Sequence, residues 1–270
     1  MRMRTSRSRQ RGVALILAVA LLASLTVLAV TDALRARSVA RSRMAELEMR
    51  MAHANAALVS FVSAIGRLPC GANPALDVGT EVRVGGACTY SQGTLPWATL
   101  GLRRDDALDP WGFKISYRVY TGPAGSLTQD NGTSMILCDP TQSQNADGAG
   151  LCKVNKKTSP ASFLTVQVAG SPVKKGLTVT DFGVMREFVA YVLLSHGPSG
   201  MGTYTDRGVA TNAPTNASEV ANMTAMGPFV AAVSATSVGP SDAMHFDDVI
   251  SYATVSDLIT KAGHGPRTWP

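Results

Sequence analysis

The chain has 270 residues, only 6% of them aromatic, with 25 glycines and 14 prolines; that balance disfavours a helical bundle and suits a loop-rich body of short strands. The formal net charge of +6 misleads, because Arg2, Arg4, Arg7, Arg9 and Arg11 crowd the first 12 residues without an acid, while Arg67 to Pro270 holds 15 basic against 16 acidic residues. A nucleic-acid binder needs a basic face on its folded part, and this body has no cationic surplus to build one.

The basic start ends at Gly12, and residues 1–12 read as a leader. Val13 to Val30 follows as 18 uncharged residues. A membrane-spanning helix needs about 20 apolar residues, so the run is just long enough. The rival reading is a secretory signal peptide, whose apolar core is about 7–15 residues and ends at a small-x-small site; Ala29-Val30-Thr31 is a mediocre one. Basic residues beside an apolar span stay cytoplasmic, although Arg35, Arg37, Arg41 and Arg43 on the far side oppose that assignment.

Apolar residues then recur at Ala36, Ala40, Met44, Leu47, Met51, Ala54, Leu58, Phe61 and Ile65, a helical stripe of near-heptad period. Its small beginning and bulky end suit a helix that packs on neighbouring helices first and on its own domain later. A free-standing coiled coil is the alternative. Gly66 is the expected C-terminal cap and Pro69 prevents continuation. The expected layout is a long helix over 13–66, membrane-spanning in its first half, followed by a globular antiparallel sheet domain over 67–270.

Within that domain, Lys114 to Tyr120 alternates and predicts a strand. Ser134 to Leu137, Phe163 to Val168 and Leu177 to Thr180 are further strand candidates. Phe188 to Leu194 is the most buried candidate. Thr205 to Ser241, rich in Ala, Thr, Asn, Gly and Pro, is expected to be a surface excursion. Phe246 to Ala262 reads as a strand and a short helix.

Four cysteines allow three pairings. Short loop closure favours Cys70–Cys88 and Cys138–Cys152, each stabilising by about 3 kcal/mol. Zinc is the rival, but no C-x₂-C pair exists and no histidine lies near either pair. Disulfides imply an oxidising compartment.

The junction Arg11-Gly12-Val13, followed directly by an apolar helix that becomes amphipathic, resembles the prepilins: type IV pilins and the pseudopilins of type II secretion. Asp109-Pro110-Trp111-Gly112 with Ile115-Ser116-Tyr117 is similar to a strand-opening segment of the major pseudopilin. Leu68-Pro69-Cys70, Leu95-Pro96-Trp97, Leu100-Gly101-Leu102, Ser195-His196-Gly197 and Phe246-Asp247-Asp248-Val249 resemble further parts of that group, less specifically. The resemblance implies cleavage after Gly12 by a membrane peptidase and N-methylation of Val13. It also implies filament packing through Ala14, Leu15, Ile16 and Leu17. Most pilins carry Glu as the fifth residue after cleavage; here it is Leu17. A buried unpaired carboxylate is costly, so its absence suits a minor subunit at the filament tip.

His196 beside Ser195, with Ser199 nearby, raises a hydrolase reading, but G-x-S-x-G is absent. Asp206, Asp247 and Asp248 are the candidate calcium ligands, the loop from Gly197 to Asp206 being similar to one that binds calcium in some major pseudopilins; no other cofactor is expected. Calcium takes six to eight oxygens, more than these residues place. Asn131, Asn216 and Asn222 begin glycosylation sequons, read as chance. Trp97, Trp111 and Trp269 read as packing residues.

The expected function is therefore a minor pilin or pseudopilin, not an enzyme. It would be held in a bacterial inner membrane with its body in the periplasm, and would partner other pilins and the prepilin peptidase but no nucleic acid. A signal-anchored periplasmic binding module or adhesin, or a secreted enzyme after conventional signal cleavage, are the rivals.

Overall fold

A computed structural model describes residues 6–90, 92–121, 127–129, 165–168, 171–174 and 176–263, with the side chains of 6–16, 18–19 and 165–174 outside the description. Cys138, Cys152, Trp269, Asn131 and the Ser134–Leu137 strand candidate lie outside the described residues. The fold is α+β: a long N-terminal helix and a mixed sheet.

Helix α1 runs unbroken over Ser6–Ile65. The helix passes through Gly12 without a break at the expected leader boundary. Two compact units divide the chain, Met1–Glu46 and Leu47–Pro270. In the first, residues 20–45 of the helix are exposed on every side, among them Leu21, Leu22, Leu25, Val27, Leu28 and Leu34. Among the described residues no helix is long and apolar enough to cross a membrane, so they give no support to a membrane-spanning first half. Much of the front of the Val13–Val30 run has its side chains outside the description.

In the second unit the helix buries Leu47, Met51, Ala54, Leu58 and Val62. The stripe was expected to finish on Phe61 and Ile65. Instead Phe61 is half-buried beneath the Arg67 guanidinium, 5.3 Å from its ring centre, and Ile65 is exposed. A helix lying on a sheet keeps its 3.6 period, which drifts by about 20° per heptad from a near-heptad stripe. Gly66 donates its amide to Val62 O at 2.8 Å and closes the helix as expected.

A disulfide joins Cys70 to Cys88, tying the chain just after the helix to a small ribbon, β1 (Arg83–Val84) and β2 (Ala87–Cys88). The main sheet uses β3 (Gln92–Thr94), β4 (Ser116–Val119), β7 (Leu177–Asp181), β8 (Val184–Ser195), β9 (Phe229–Ala231) and β10 (Val249–Thr254), ordered β3-β4-β8-β7-β9 with β10 also on β8. A separate two-stranded ribbon joins β5 (Thr165–Val168) and β6 (Ser171–Lys174). A 3-10 turn over Arg104–Ala107 and two short α-helices, α2 (Ala217–Asn222) and α3 (Val255–Lys261), complete the described fold.

The central strand β8 is longer than the predicted Phe188 to Leu194. It begins at Val184 because Phe182 and Gly183, at φ 47° and 85°, form a two-residue turn with positive φ at both positions, the hairpin geometry that matches strand twist. The expected antiparallel sheet is in fact mixed, since β9 runs parallel to β7, with Val179 opposite Phe229. The Thr205 to Ser241 segment is thus more than a surface excursion. It supplies the sheet with an edge strand and buries Glu219 and Asn222.

Cross-strand register pairs Tyr117 with Leu193 and Val119 with Tyr191. This face meets α1: Tyr191 Oη donates to Asn55 Oδ1 at 2.9 Å, and Asn55 Nδ2 donates to Ser251 Oγ at 2.8 Å. Side chains alternate along a strand, so Ser116 and Arg118 point the other way. Both residues are buried there, Arg118 donating to Thr224 O and Gly93 O at 3.2 and 3.1 Å. Burial pulls the Arg118 guanidinium down to about 10, against the pull of Tyr204 and Asp248.

Candidate functional site

On this second face the sequence motifs converge. Asp109 opens the segment leading into β4. Its Oδ1 accepts the amides of Trp111 and Phe113 at 3.0 and 2.9 Å, and Gly112 N donates to Asp109 O at 3.0 Å. The Asp-Pro-Trp-Gly segment is therefore an aspartate-capped turn. Asp109 Oδ2 accepts from Ser195 Oγ, at the end of β8, at 2.7 Å. Burial pushes the Asp109 carboxyl up, although the bonds from Phe113, Ser195 and Trp111 oppose it.

The next residue, His196, is fully buried. Its Nε2 lies 3.3 Å from Ser116 Oγ and its Nδ1 lies 3.2 Å from Asp248 Oδ1. Asp248 also accepts from Asn222 Nδ2 at 2.8 Å. Serine, imidazole and carboxylate stand in line, but all three are buried, and a nucleophile must reach substrate. The two serines weighed as nucleophiles do not meet this ring: Ser195 Oγ is spent on Asp109, and Ser199 Oγ sits 3.1 Å from Asp247 Oδ1.

Asp247 anchors the turn after β8 by accepting Ser199 N at 2.8 Å. Gly197 makes the approach possible. It adopts φ 57°, and a Cβ there would stand 2.4 Å from Asp247 O and 2.7 Å from its carboxyl carbon. Asp247 N donates to Glu219 Oε1 at 2.9 Å. Glu219 is the third residue of α2, whose N-cap Asn216 accepts from Ser218 N and Glu219 N. His245 Nδ1 meets Val238 O at 3.1 Å, and its Nε2 lies 3.3 Å from Asp247 Oδ2 without the alignment of a hydrogen bond. Burial pushes the Glu219 carboxyl up to about 7, with the bond from Asp247 N opposing and the Asp248 and Asp247 charges adding to the rise. Burial lowers His245, but its bond to Val238 O and the neighbouring Asp247 and Glu219 carboxylates outweigh that and leave it raised.

Among the described residues, one ligand atom from each of Glu219, His245 and Asp247 lies within 4.8 Å of the others, the only such group of three. The anticipated calcium trio does not assemble. Asp206 pairs with Arg104 at 3.8 Å, Asp248 with His196 and Asn222, and only Asp247 belongs to the cluster. Local sequence places acids by loop, whereas the fold delivers Glu219 from a helix 28 residues away. The signal for Glu219 was present in Asn216-x-x-Glu219, a helix-start pattern; nothing local marked His245. Two sequon asparagines have structural roles, Asn216 as a cap and Asn222 as a buried bridge to Asp248. Trp97 packs against Gly79 and borders the main core.

Gly12 and Val13 lie within α1, followed by Ala14, Leu15, Ile16 and Leu17 on the same helix; among these six, the description reaches only the exposed side chain of Leu17. Comparison with protein-family models, with curated proteins and with solved structures yields no match for the chain.

Proposed function

We propose that the protein is a minor pilin or pseudopilin, a structural subunit that sits at or initiates the tip of a type IV pilus or type II secretion filament. One observation carries the reading: α1 continues without a break from Ser6 to Ile65, and its last turns form part of the domain core. A helix that is apolar on all sides must be covered by lipid or by other helices. Leu21, Leu22, Leu25 and Leu28, each more than half exposed, call for such cover. In this reading the run from Val13 to Val30 holds the subunit in the inner membrane, and cleavage after Gly12 releases it to enter a filament beside other pilins. Leu17, where a glutamate would seek a neighbour's terminal amine, favours the tip. The buried network of Asp109, Ser195, His196 and Asp248 serves the body by fixing the Gly-rich turn and the start of β10.

The test is the mature N-terminus of the full chain produced together with a prepilin peptidase. A start at methylated Val13, abolished by Gly12→Glu, is the expected result. Retention of Met1 would indicate an uncleaved anchor, and a start near Asp32 a conventional signal peptide; either overturns the proposal.

A further inference from the structure

We propose that Glu219, His245 and Asp247 form a binding site for one divalent transition-metal ion, zinc before calcium. The three residues come from α2 and from the segment entering β10, and all are at least 96% buried, with exposures of 1%, 4% and 4%. The chemistry of each is already arranged for a ligand. Val238 O can only accept, so His245 Nδ1 carries its proton and Nε2 is left to face the carboxylates. An imidazole oriented by a backbone carbonyl on its other nitrogen is the usual arrangement of a metal-bound histidine.

Glu219 presents a similar asymmetry. Oε1 accepts from Asp247 N, while Oε2 is buried with no hydrogen-bond partner among the described residues. A buried acceptor left unmade is unfavourable, and the same is true of His245 Nε2. Asp247 is held from outside by Ser199 N and Oγ and seated against Gly197, so its carboxylate is oriented before any ion arrives. Two ligands about 2.1 Å from a tetrahedral zinc lie about 3.4 Å apart; His245 Nε2 and Asp247 Oδ2 are 3.3 Å apart.

Charge points the same way. A neutral imidazole and two carboxylates balance one divalent cation, which removes the cost of burying two like charges side by side. Calcium prefers six to eight oxygens and no imidazole, whereas one nitrogen and two carboxylate oxygens suit zinc, with a fourth position left for water. Pro198 and Met244 are exposed next to Ser199 and His245, so the site lies just under the surface and an ion has a short way in. A protonated His245 paired with Asp247 is the competing arrangement, and it leaves Glu219 Oε2 unsatisfied.

The test uses the full chain stripped with EDTA and titrated with zinc chloride. The expected result is one zinc retained per chain, with affinity reduced at least about tenfold in Glu219→Gln and Asp247→Asn. Should those variants misfold, cobalt(II) bound to the unaltered chain gives an independent readout: intense visible bands of a four- or five-coordinate ion are expected. Failure to retain zinc, equal binding by the variants, or the pale spectrum of a six-coordinate hydrated cobalt would each overturn the site. The inference is separate from the filament reading, since neither a start at Val13 nor zinc binding requires the other.

Discussion

Arg67 grips Glu81 with both arms of its guanidinium: Nη1 donates to Oε2 at 2.9 Å and Nη2 to Oε1 at 2.6 Å. Glu81 also accepts the amide of Cys70 at 2.9 Å, so one carboxylate ties the chain just beyond α1 to the disulfide loop. Burial raises this carboxyl, but the bonds from Arg67 and Cys70 and the Arg67 charge outweigh it and hold the group below its usual 4.5. A carboxyl lowered in the folded state contributes stability that is complete above the unfolded value and is lost as pH falls through the folded one. Glu81→Gln should destabilise at neutral pH by about 2–3 kcal/mol, because it removes the charged, two-armed bond to the buried Arg67 guanidinium. In urea unfolding, the gap between the two proteins should narrow as pH drops below about 4. A gap independent of pH would show that the pair does not govern this region.

Leu58 and Met49 lie on the same helix with opposite fates, the first fully buried and the second 65% exposed. Leu58→Ala should cost about 2–5 kcal/mol through lost burial and the cavity left behind. Met49→Ala should stay within about 0.5 kcal/mol. Paired denaturant curves decide it, and equal losses would mean that the helix does not rest on the sheet along this stripe.

The Cys70–Cys88 bridge closes a separation of 18 residues. Constraint of the unfolded chain by a loop of that size is worth about 3 kcal/mol. The Cys70→Ala, Cys88→Ala double variant should lose about that much by urea unfolding. A loss near zero would place the stabilisation of this segment with Arg67 and Glu81 alone.

Phe182 holds φ 47° while its side chain is 66% exposed. A bulky side chain in this region costs about 1–2 kcal/mol, and asparagine tolerates it far better. Phe182→Asn would place Asn-Gly in the turn, the favoured pair for this hairpin, and should stabilise by about 0.5–1 kcal/mol in thermal unfolding. A destabilised variant would mean that the phenyl ring has a contact worth more than the strain.

Helix and sheet were legible for different reasons. Met51, Ala54 and Leu58 recur at helical spacing and nothing interrupts them, so the helix and its inner face could be read directly, up to the last turn. The core strands announced themselves through Tyr117, Val119 and Tyr191. What could not be read is the second face of the sheet. Ser116 and Arg118 look like solvated positions, and only the tertiary course of residues 196–248 buries them. For the same reason the sequence motifs around Asp109, Ser195 and Asp247 were visible singly, while their meeting was not. Glu219 and His245 escaped because a metal-type cluster assembled from distant segments leaves no local spacing to find.

Strand β9 lies along β7 although Val179 and Phe229 are 50 residues apart, while β7 and β8 are joined by a two-residue turn. Contact order therefore ranks the pairings in time. A hairpin closes in about 1–10 μs, whereas the parallel edge must first bear the entropy of a long loop. By that ranking the β7–β8 hairpin precedes the parallel edge, while the seating of the sheet on α1, through Tyr191 and Asn55 136 residues apart, is a still longer closure.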